Sequence, residues 1–310
     1  MALRRQRDIW DMVVIGGGMS GLNAAWQGSQ RGLSVALFEE RPSFGGQVAT
    51  VNALDSWPGV EMASGVELAT AIVRKLRREN VQFFSESVAT IMEMEDHIFR
   101  VSADPSVVRA RCVVAAAGGR LKTLEVPGEK ALRGKGVSQC AHCDGDFFRN
   151  EDVVVVGAGD AALQGALVLA ELCRAVYVIV RSKARARRAF MDKATGKTNL
   201  HFVLDSIVEA VLGTDVVSGV QLRSTLDGKQ RELACSGVFP FIGILPNTSM
   251  LPANIRRDEE GKVITDNGCQ SSIPGIFAVG ALRSGYCGEL ISAAGEAALA
   301  ATIIAEEVKR

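Results

Sequence analysis

Two cysteines and an acid lie close together near the middle of the chain. In the stretch "QCAHCDGDF", Cys140 and Cys143 are separated by two residues, and Asp144 follows directly. A pair with this spacing can bind a metal ion, form a structural disulfide, or alternate between dithiol and disulfide in a redox reaction. In the redox reaction, a neighbouring carboxyl group can protonate the departing thiolate as a general acid.

The rest of the chain argues against the first two roles. Zinc usually takes four ligands from two paired motifs, whereas "CAHC" offers two cysteines and His142, and no second C-x-x-C follows. The remaining cysteines lie singly in apolar or loop contexts, which indicates a reducing compartment in which structural disulfides are not expected. They are Cys112, Cys173, Cys235, Cys269 and Cys287. We therefore predict a redox-active dithiol and no bound metal.

A glycine turn near the N-terminus predicts a nucleotide site. An apolar run ends at Ile15, and Gly16, Gly18 and Gly21 follow in G-x-G-x-x-G spacing before an Ala-rich segment and a second apolar run, 35–38. This order of strand, turn, helix and strand lets the backbone approach a pyrophosphate at the N-terminus of the helix. Glu39, at the end of the second run, would accept hydrogen bonds from the ribose hydroxyls of an adenosine.

The same device recurs after the cysteine pair. Gly157, Gly159 and Ala162 follow a second apolar run, and a further apolar run covers 176–180. We match Arg181 to the position of Glu39, and cations continue beyond it at Lys183, Arg185, Arg187 and Arg188. A cation at this position suits a ribose 2′-phosphate, although basic runs are also found as simple solvated loops. Two such turns in one chain predict a flavin paired with a nicotinamide nucleotide.

Length and composition limit the number of domains and the classes of partner. A chain of 310 residues is expected to form two domains. Its 35 basic and 35 acidic residues balance, so no nucleic-acid partner is predicted. No long apolar run with a cleavage site follows the basic N-terminus, and the longest apolar stretch, 153–172, divides into strand, turn and helix. We predict a cytoplasmic protein without a membrane segment.

The order of these motifs resembles a known family. "IGGGMSG", "FGGQV", "WPG", "VPGE", "GVSQCAHCDGDFF", "VVVVGAGDAAL", "FIGILPNT" and "GIFAVGALRSG" are similar in order and spacing to the low-molecular-weight, bacterial-type thioredoxin reductases. The resemblance implies an α/β fold of two Rossmann-like three-layer domains, with an NAD(P)H-type domain inserted into a discontinuous FAD domain. The implied boundaries are 1–118 plus 246–310 for the FAD domain and 119–245 for the inserted domain.

The resemblance also implies a reaction. Electrons would pass from NADPH through FAD to the C-x-x-C disulfide and on to a thioredoxin-like protein or a small disulfide. Cys143 would face the flavin, Cys140 would attack the partner, and Asp144 would be the acid. The family further implies two alternating domain orientations and a homodimer.

Cofactor-binding residues carry over by position. For FAD they are Gly16, Gly18, Met19, Ser20, Gly21, Glu39, Glu40, Gly46, Gln47, Val88, Ala117, Gly118, Gly280, Ala281, Glu289 and Leu290. For NADPH they are Gly157, Gly159, Asp160, Ala161, Arg181, Arg185 and Arg187.

Four positions depart from the family pattern. Ala281 replaces an Asp that would accept a hydrogen bond from the ribityl chain, and Glu289 places a negative charge where an anionic reduced flavin would be opposed. The phosphate-reading motif His-Arg-Arg-x-x-x-Arg retains only Arg181 in place. His142 replaces a Thr, where it would stabilise a thiolate or serve as a spacer.

These departures keep two other functions open. One is a related flavoenzyme with a different electron donor or acceptor, such as a ferredoxin-linked reductase or an oxidase of small dithiols. The other is a non-catalytic flavoprotein whose cysteine pair senses oxidation. The second fits less well, because a sensor would not need two nucleotide turns.

Overall fold

The computed structural model describes residues 9–51, 54, 57, 64–79, 81–85, 89–93 and 98–309. The chain divides into two compact units. Unit 1 comprises Met1–Arg120 and Leu245–Arg310, and unit 2 comprises Leu121–Ile244. Unit 2 is therefore inserted in the sequence of unit 1.

Unit 1 is built on a mixed sheet of seven strands. Its order is β3-β2-β1-β6-β5-β4, and β16 pairs with β6 beside the end of β5. The strands are β1 (Trp10–Ile15), β2 (Val35–Glu39), β3 (Gln82–Ser85), β4 (Thr90–Glu93), β5 (Phe99–Ala103), β6 (Ser106–Ala115) and β16 (Ile276–Ala278). The first three, β6 and β16 run parallel, whereas β4 and β5 are antiparallel to their neighbours.

Within the described residues, unit 1 contains three α-helices. They are α1 (Met19–Gln30), α2 (Gly65–Arg78) and α6 (Leu290–Glu307). Helix α2 begins with a capping box, in which Ser64 accepts from the Glu67 backbone and the Glu67 carboxylate accepts from the Ser64 backbone. Short 3-10 helices cover Gly46–Thr50 and Gly280–Leu282.

Unit 2 combines a parallel sheet with an antiparallel one. The parallel sheet has the order β10-β9-β8-β14, and the antiparallel sheet has the order β11-β12-β13. The parallel strands are β8 (Asp152–Val156), β9 (Ala175–Ile179), β10 (Leu200–Val203) and β14 (Gly237–Pro240). The antiparallel strands are β11 (Ser206–Leu212), β12 (Gly219–Ser224) and β13 (Gln230–Ala234). The helices are α3 (Ala141–Asp144), α4 (Asp160–Ala170) and α5 (Arg188–Thr195), and a 3-10 helix covers Gly145–Phe148.

The chain passes from one unit to the other in two short strands. These are β7 (Gly119–Leu121) and β15 (Ile244–Pro246), which pair in a two-stranded sheet.

The first strand of each nucleotide turn, β1 and β8, is buried on both faces. In β1, Val13 and Ile15 pack in one apolar cluster while Met12 and Val14 pack in another, because alternate side chains point to opposite faces. The Val run of β8 divides in the same way, with residues 153 and 155 on one face and 154 and 156 on the other. Strands covered on both sides read as continuous apolar runs, which explains why the sequence signal was clear.

Candidate active site

The cysteine pair forms a disulfide in unit 2. The Cα atoms of Cys140 and Cys143 are 5.3 Å apart, and their sulfurs are bonded to each other. Cys140 precedes the single turn of α3, and its Sγ accepts from the backbone N–H of Cys143 at 3.1 Å. Cys140 is half-buried and Cys143 is exposed. A donor aimed at the Cys140 sulfur stabilises negative charge there once the bond is reduced.

A serine joins the acid to the cysteine segment. The Ser138 hydroxyl donates to Asp144 Oδ2 at 2.5 Å and accepts from the Cys140 backbone N–H at 3.0 Å. The Asp144 backbone N–H donates to the Cys140 carbonyl at 3.1 Å. Ser138 is buried, so these bonds fix the carboxyl group relative to the disulfide. The sequence analysis missed Ser138, although its position two residues before the first cysteine was visible.

The first glycine turn opens onto a cavity of about 540 Å³ in unit 1. Gly16 has a φ of +109°, and a Cβ built there would lie 2.5 Å from the Ala116 carbonyl oxygen. A Cβ on Gly18 would meet only Gly46 Cα within 4 Å, at 3.9 Å, so this side of the turn is open. Helix α1 follows with no acidic residue in its first turn. The turn thus presents open backbone and a positive helix end to the cavity, which fits a pyrophosphate.

Most residues predicted for FAD line this cavity. They are Gly16, Gly18, Met19, Ser20, Glu39, Glu40, Gly46, Gln47, Ala117, Gly118, Ala281 and Leu290. Gly21, Gly280 and Glu289, although described, are not part of the lining. Gly21 instead packs on the turn, where a Cβ would come within 1.7 Å of the Gly16 carbonyl oxygen. Val88 lies outside the described residues.

Glu39 lines the cavity beside the glycine turn. Its Oε2 accepts from the Gly17 backbone N–H at 2.5 Å, and its Oε1 accepts from the Arg41 backbone N–H at 2.8 Å. The carboxylate is therefore fixed beside the turn, with capacity left on both oxygens for ribose hydroxyls. Together with the open turn, this donor and acceptor set fits the adenosine half of FAD.

The C-terminal segment supplies another wall. Ala281, Tyr286, Leu290 and Ala293 line the cavity, so the first turn of α6 faces it. The Tyr286 hydroxyl donates to the Glu289 carbonyl at 2.9 Å, and burial raises the Tyr286 pKa to about 12. This phenol therefore remains a neutral donor at ordinary pH.

A buried ion pair supports the same segment. Glu296 Oε2 accepts from the Gly280 backbone N–H at 2.8 Å, and Glu296 Oε1 pairs with Arg283 Nη1 at 3.1 Å. The side chains of Arg283 and Glu296 are 18% and 14% exposed, so both charges are largely removed from water and compensate each other. The pair holds the turn that carries Ala281.

Tyr286 and Asn247 are among the wall residues that the sequence analysis did not name. Tyr286 lies outside the recognised motifs, so no feature of the sequence indicated it. Asn247, in the "ILPNT" motif, also lines the cavity and donates from Nδ2 to the Ala117 carbonyl at 2.9 Å. Its position in a recognised motif was the feature of the sequence that could have identified it.

An ion pair lies beside the second glycine turn. Asp160, the first residue of α4, accepts from the Arg187 backbone N–H at 2.7 Å and pairs with Arg187 Nε at 2.7 Å. The Arg185 backbone N–H donates to the Ala158 carbonyl at 2.8 Å. The basic loop is thus anchored on the turn, and Arg181 and Arg185 have exposed side chains. Gly157, with a φ of +120°, and Gly159 form the turn itself, and Ala161 follows Asp160 on α4.

The strand register corrects one expectation. Ile15 pairs with Phe38 and Val156 pairs with Ile179, so the residue equivalent to Glu39 is Val180 rather than Arg181. Val180 is buried, and Arg181 is one residue further along, exposed. The sequence comparison matched Arg181 to Glu39, one residue too late, because the ends of the two apolar runs are not marked in the sequence. Arg181 is thus equivalent to Glu40.

Four other thiols are buried and hard to ionise. Burial raises the pKa of Cys112 and of Cys235 to about 12, and that of Cys173 and of Cys269 to about 11. Cys287 is exposed. The thiols outside the disulfide are therefore mostly inert at neutral pH, since the thiolate is the reactive form.

A redox disulfide carried by a nucleotide-binding unit defines a class of flavin-linked disulfide oxidoreductases. The family model described as pyridine nucleotide-disulphide oxidoreductase matches residues 10–298. The chain is 35% identical over 294 residues to the thioredoxin reductase of Treponema pallidum (strain Nichols), covering 94% of this chain and 95% of that protein. It is 34% identical over 301 residues to the thioredoxin reductase of Mycolicibacterium smegmatis, covering 96% of each. The crystal structure of Lactococcus lactis thioredoxin reductase superposes with a TM-score of 0.92 at 30% identity, covering 97% of this chain and 99% of that one.

The chain belongs to the pyridine nucleotide-disulphide oxidoreductase family, within the low-molecular-weight thioredoxin reductase group. The predicted fold class is confirmed, as are an FAD-dependent oxidoreductase and its cofactors FAD and NADPH. No helix within the described part of the chain is long and apolar enough to cross a membrane.

Proposed function

We propose that this protein is an FAD-dependent disulfide reductase that uses NADPH to reduce the Cys140–Cys143 disulfide, which then reduces a thioredoxin-like protein. The observation that carries the proposal is the disulfide itself, held next to an acid in a unit that also contains a nucleotide turn. Unit 1 would be the FAD domain and unit 2 the NAD(P)H domain. Bound FAD supplies the exchange of an electron pair between the nicotinamide and the disulfide.

Unit 1 binds and orients the flavin nucleotide. The backbone of the first glycine turn and the N-terminus of α1 hold the pyrophosphate, and Glu39 accepts from the ribose. The first turn of α6 directs its positive end into the cavity, where it stabilises negative charge on the bound group. Tyr286 stays protonated there and adds no negative charge of its own.

Unit 2 stabilises negative charge on one sulfur and places an acid beside the pair. The Cys143 backbone N–H stabilises negative charge on Cys140 Sγ, which favours Cys140 as the nucleophile toward an external disulfide. Asp144 is placed to pass a proton to a departing thiolate, and Ser138 keeps its carboxyl group in place. Arg181 and Arg185 are the cations available to a 2′-phosphate, while Arg187 is engaged by Asp160.

The deciding experiment is anaerobic reduction of the flavin-loaded protein. Adding NADPH should bleach the flavin absorbance within seconds, and thioredoxin should be reduced over many turnovers. Cys140→Ser and Cys143→Ser should each abolish turnover and still allow bleaching. Cys287→Ser, an exposed thiol outside the disulfide, should keep full activity and is the matched control. Bleaching by reduced ferredoxin but not by NADPH would reject the donor proposed here.

The finer assignments rest on the family resemblance. We propose a thioredoxin-like protein as partner, a homodimer as the assembly and the cytoplasm as the location. The single buried thiols support a reducing compartment. Sedimentation at micromolar concentration tests the dimer, since a monomer mass would contradict it.

A further inference from the structure

A second cavity begins at the disulfide and lies wholly within unit 2. Its volume is about 680 Å³, within the range of small-molecule sites. Its lining includes Cys140 and Asp144, together with a wall formed by the segment between β7 and the cysteines. The wall residues are Thr123, Glu125, Val126, Glu129, Lys130, Arg133, Gly134, Val137, Ser138 and Gln139. Of the two cysteines, the one that borders this cavity is Cys140.

One buried carboxylate is hydrogen-bonded to the backbone of the wall. Glu129 is 6% exposed, and its two oxygens accept from the backbone N–H groups of Leu124 and Glu125 at 2.9 and 2.8 Å. Glu125 has a φ of +59° in this turn. Glu129 is thus occupied in shaping the wall, because its acceptors are directed to the backbone.

Charges of both signs remain for a ligand. Glu125 and Lys130 have exposed side chains, and neither forms an ion pair with any residue the structure describes. Arg133 donates to Gln139 Oε1 at 3.1 Å through Nη2 and keeps its other donors. Val126 and Val137 add apolar surface to the lining. A ligand that suits this wall has a short apolar body, an ammonium group and a carboxylate.

We propose that this cavity binds a low-molecular-weight zwitterionic disulfide, of the amino-acid or short-peptide class, as a second substrate. The inference rests on the disulfide reductase function proposed above. Glu125 would receive the ammonium group, and Lys130 and Arg133 the carboxylate, so that the substrate sulfurs lie at Cys140.

The reaction balances with the reductant already named. The Cys140 thiolate attacks one substrate sulfur, the substrate S–S bond breaks, and the first thiol leaves with a proton from Asp144. The Cys143 thiol then attacks Cys140 Sγ and breaks the mixed disulfide. Its proton passes to the departing sulfur, so the second thiol leaves and the Cys140–Cys143 disulfide is restored. The two electrons gained by the substrate are replaced by NADPH in the proposed activity.

Two probes separate cavity binding from simple chemical reactivity. Cystine carries an ammonium and a carboxylate on each half, whereas bis(2-hydroxyethyl) disulfide carries no charge. Glu125→Gln and Lys130→Gln should each lower kcat/KM for cystine about fivefold, the upper size of one exposed charge contact, and change the uncharged disulfide less than twofold. Glu232→Gln, an exposed carboxylate on β13, is the matched control and should change neither.

Filling the cavity tests its use directly. Thr123→Trp should lower kcat/KM for both small disulfides at least tenfold, while Leu226→Trp, on an exposed turn of the same unit, should leave both unchanged. Equal effects of the charge variants on both probes would overturn the zwitterionic class. Full activity of Thr123→Trp toward cystine would overturn the cavity as the site.

A trapping measurement does not depend on the flavin. Cys143→Ser protein, incubated with cystine, should accumulate one half-cystine on Cys140 by mass spectrometry, and Thr123→Trp in the same background should slow it at least tenfold. If the trapping rate is the same in both proteins, the cavity does not bind the substrate. Failure of NADPH to support turnover with trapping intact would instead count against the proposed function alone.

Discussion

The two glycine turns share a backbone plan but differ at the helix that follows. In both, the first glycine donates to a carbonyl on the neighbouring strand, Gly16 to Phe38 and Gly157 to Ile179. Helix α1 then begins without an acid in its first turn, whereas α4 begins with Asp160. One motif thus gives two electrostatic environments, because the residue at the helix start is free to vary.

The turns also differ in how closely the helix approaches. A Cβ on Gly21 would clash with the Gly16 carbonyl oxygen at 1.7 Å, but Ala162 occupies the equivalent position in unit 2 without such a clash. The third glycine is therefore required by the packing in unit 1 and not by the motif itself.

The largest expected effect comes from filling the open side of each turn. Gly18→Val should reduce FAD affinity at least about a hundredfold, which corresponds to about 2.7 kcal/mol, and remove activity. The fold should persist, because Gly18 has a φ of −71° and its Cβ would meet only Gly46 within 4 Å. Flavin absorbance per protein measures the loss.

Gly159→Val is the matched variant in unit 2. It should leave flavin content unchanged and raise KM for NADPH at least about tenfold, because its Cβ also points into open space. Loss of flavin from this variant would contradict the assignment of the two nucleotides to the two units.

The packing difference predicts a smaller effect on stability. Gly21→Ala should destabilise unit 1 by about 2 kcal/mol and weaken flavin retention, since the Gly16 carbonyl must move. The reverse change in unit 2, Ala162→Gly, should cost only about 1 kcal/mol, as expected for glycine in a helix. Thermal unfolding of both variants measures the two losses of stability. Equal losses would contradict the packing difference between the two turns.

The acid at the start of α4, which α1 lacks, predicts that removing its charge strengthens NADPH binding. Asp160→Asn removes a negative charge beside the proposed pyrophosphate site and breaks its ion pair with Arg187, so KM for NADPH should fall about two- to fivefold. Asp152→Asn breaks the similarly exposed pair with Arg174 at the start of β8, away from the turn, and should leave KM unchanged. An increase in KM for Asp160→Asn would show that anchoring the basic loop outweighs the charge.

The last test separates the disulfide of unit 2 from the other thiols. A pKa of about 12 leaves about one thiol in 10,000 ionised at pH 8, so Cys112 and Cys235 should alkylate at least about a hundredfold more slowly than exposed Cys287. Reactivity should appear only as the pH rises toward that pKa. Reduction with NADPH should add Cys140 and Cys143 to the labelled residues, read by peptide mass spectrometry. Rapid labelling of Cys112 in folded protein would contradict its burial.

Much of the fold was legible because its strands are buried on both faces. The apolar runs ending at Ile15 and Val156 predicted β1 and β8, and the glycines after them predicted the turns. The run 176–180 was less informative, since Val180 is as apolar as the strand before it, and the match to Glu39 was placed one residue late. Periodicity identifies a strand but does not define its register.

The sequence by itself determined the chemistry available: two sulfurs three positions apart, an acid beside them, and two turns in which glycine allows close backbone approach. These depend on local spacing, so they can be read along the chain. Only the tertiary structure decided that Ser138 fixes Asp144, that Arg187 neutralises Asp160, and that Asn247 and Tyr286 reach the flavin cavity. Those contacts join segments through hydrogen bonds and packing directions, which no local pattern specifies.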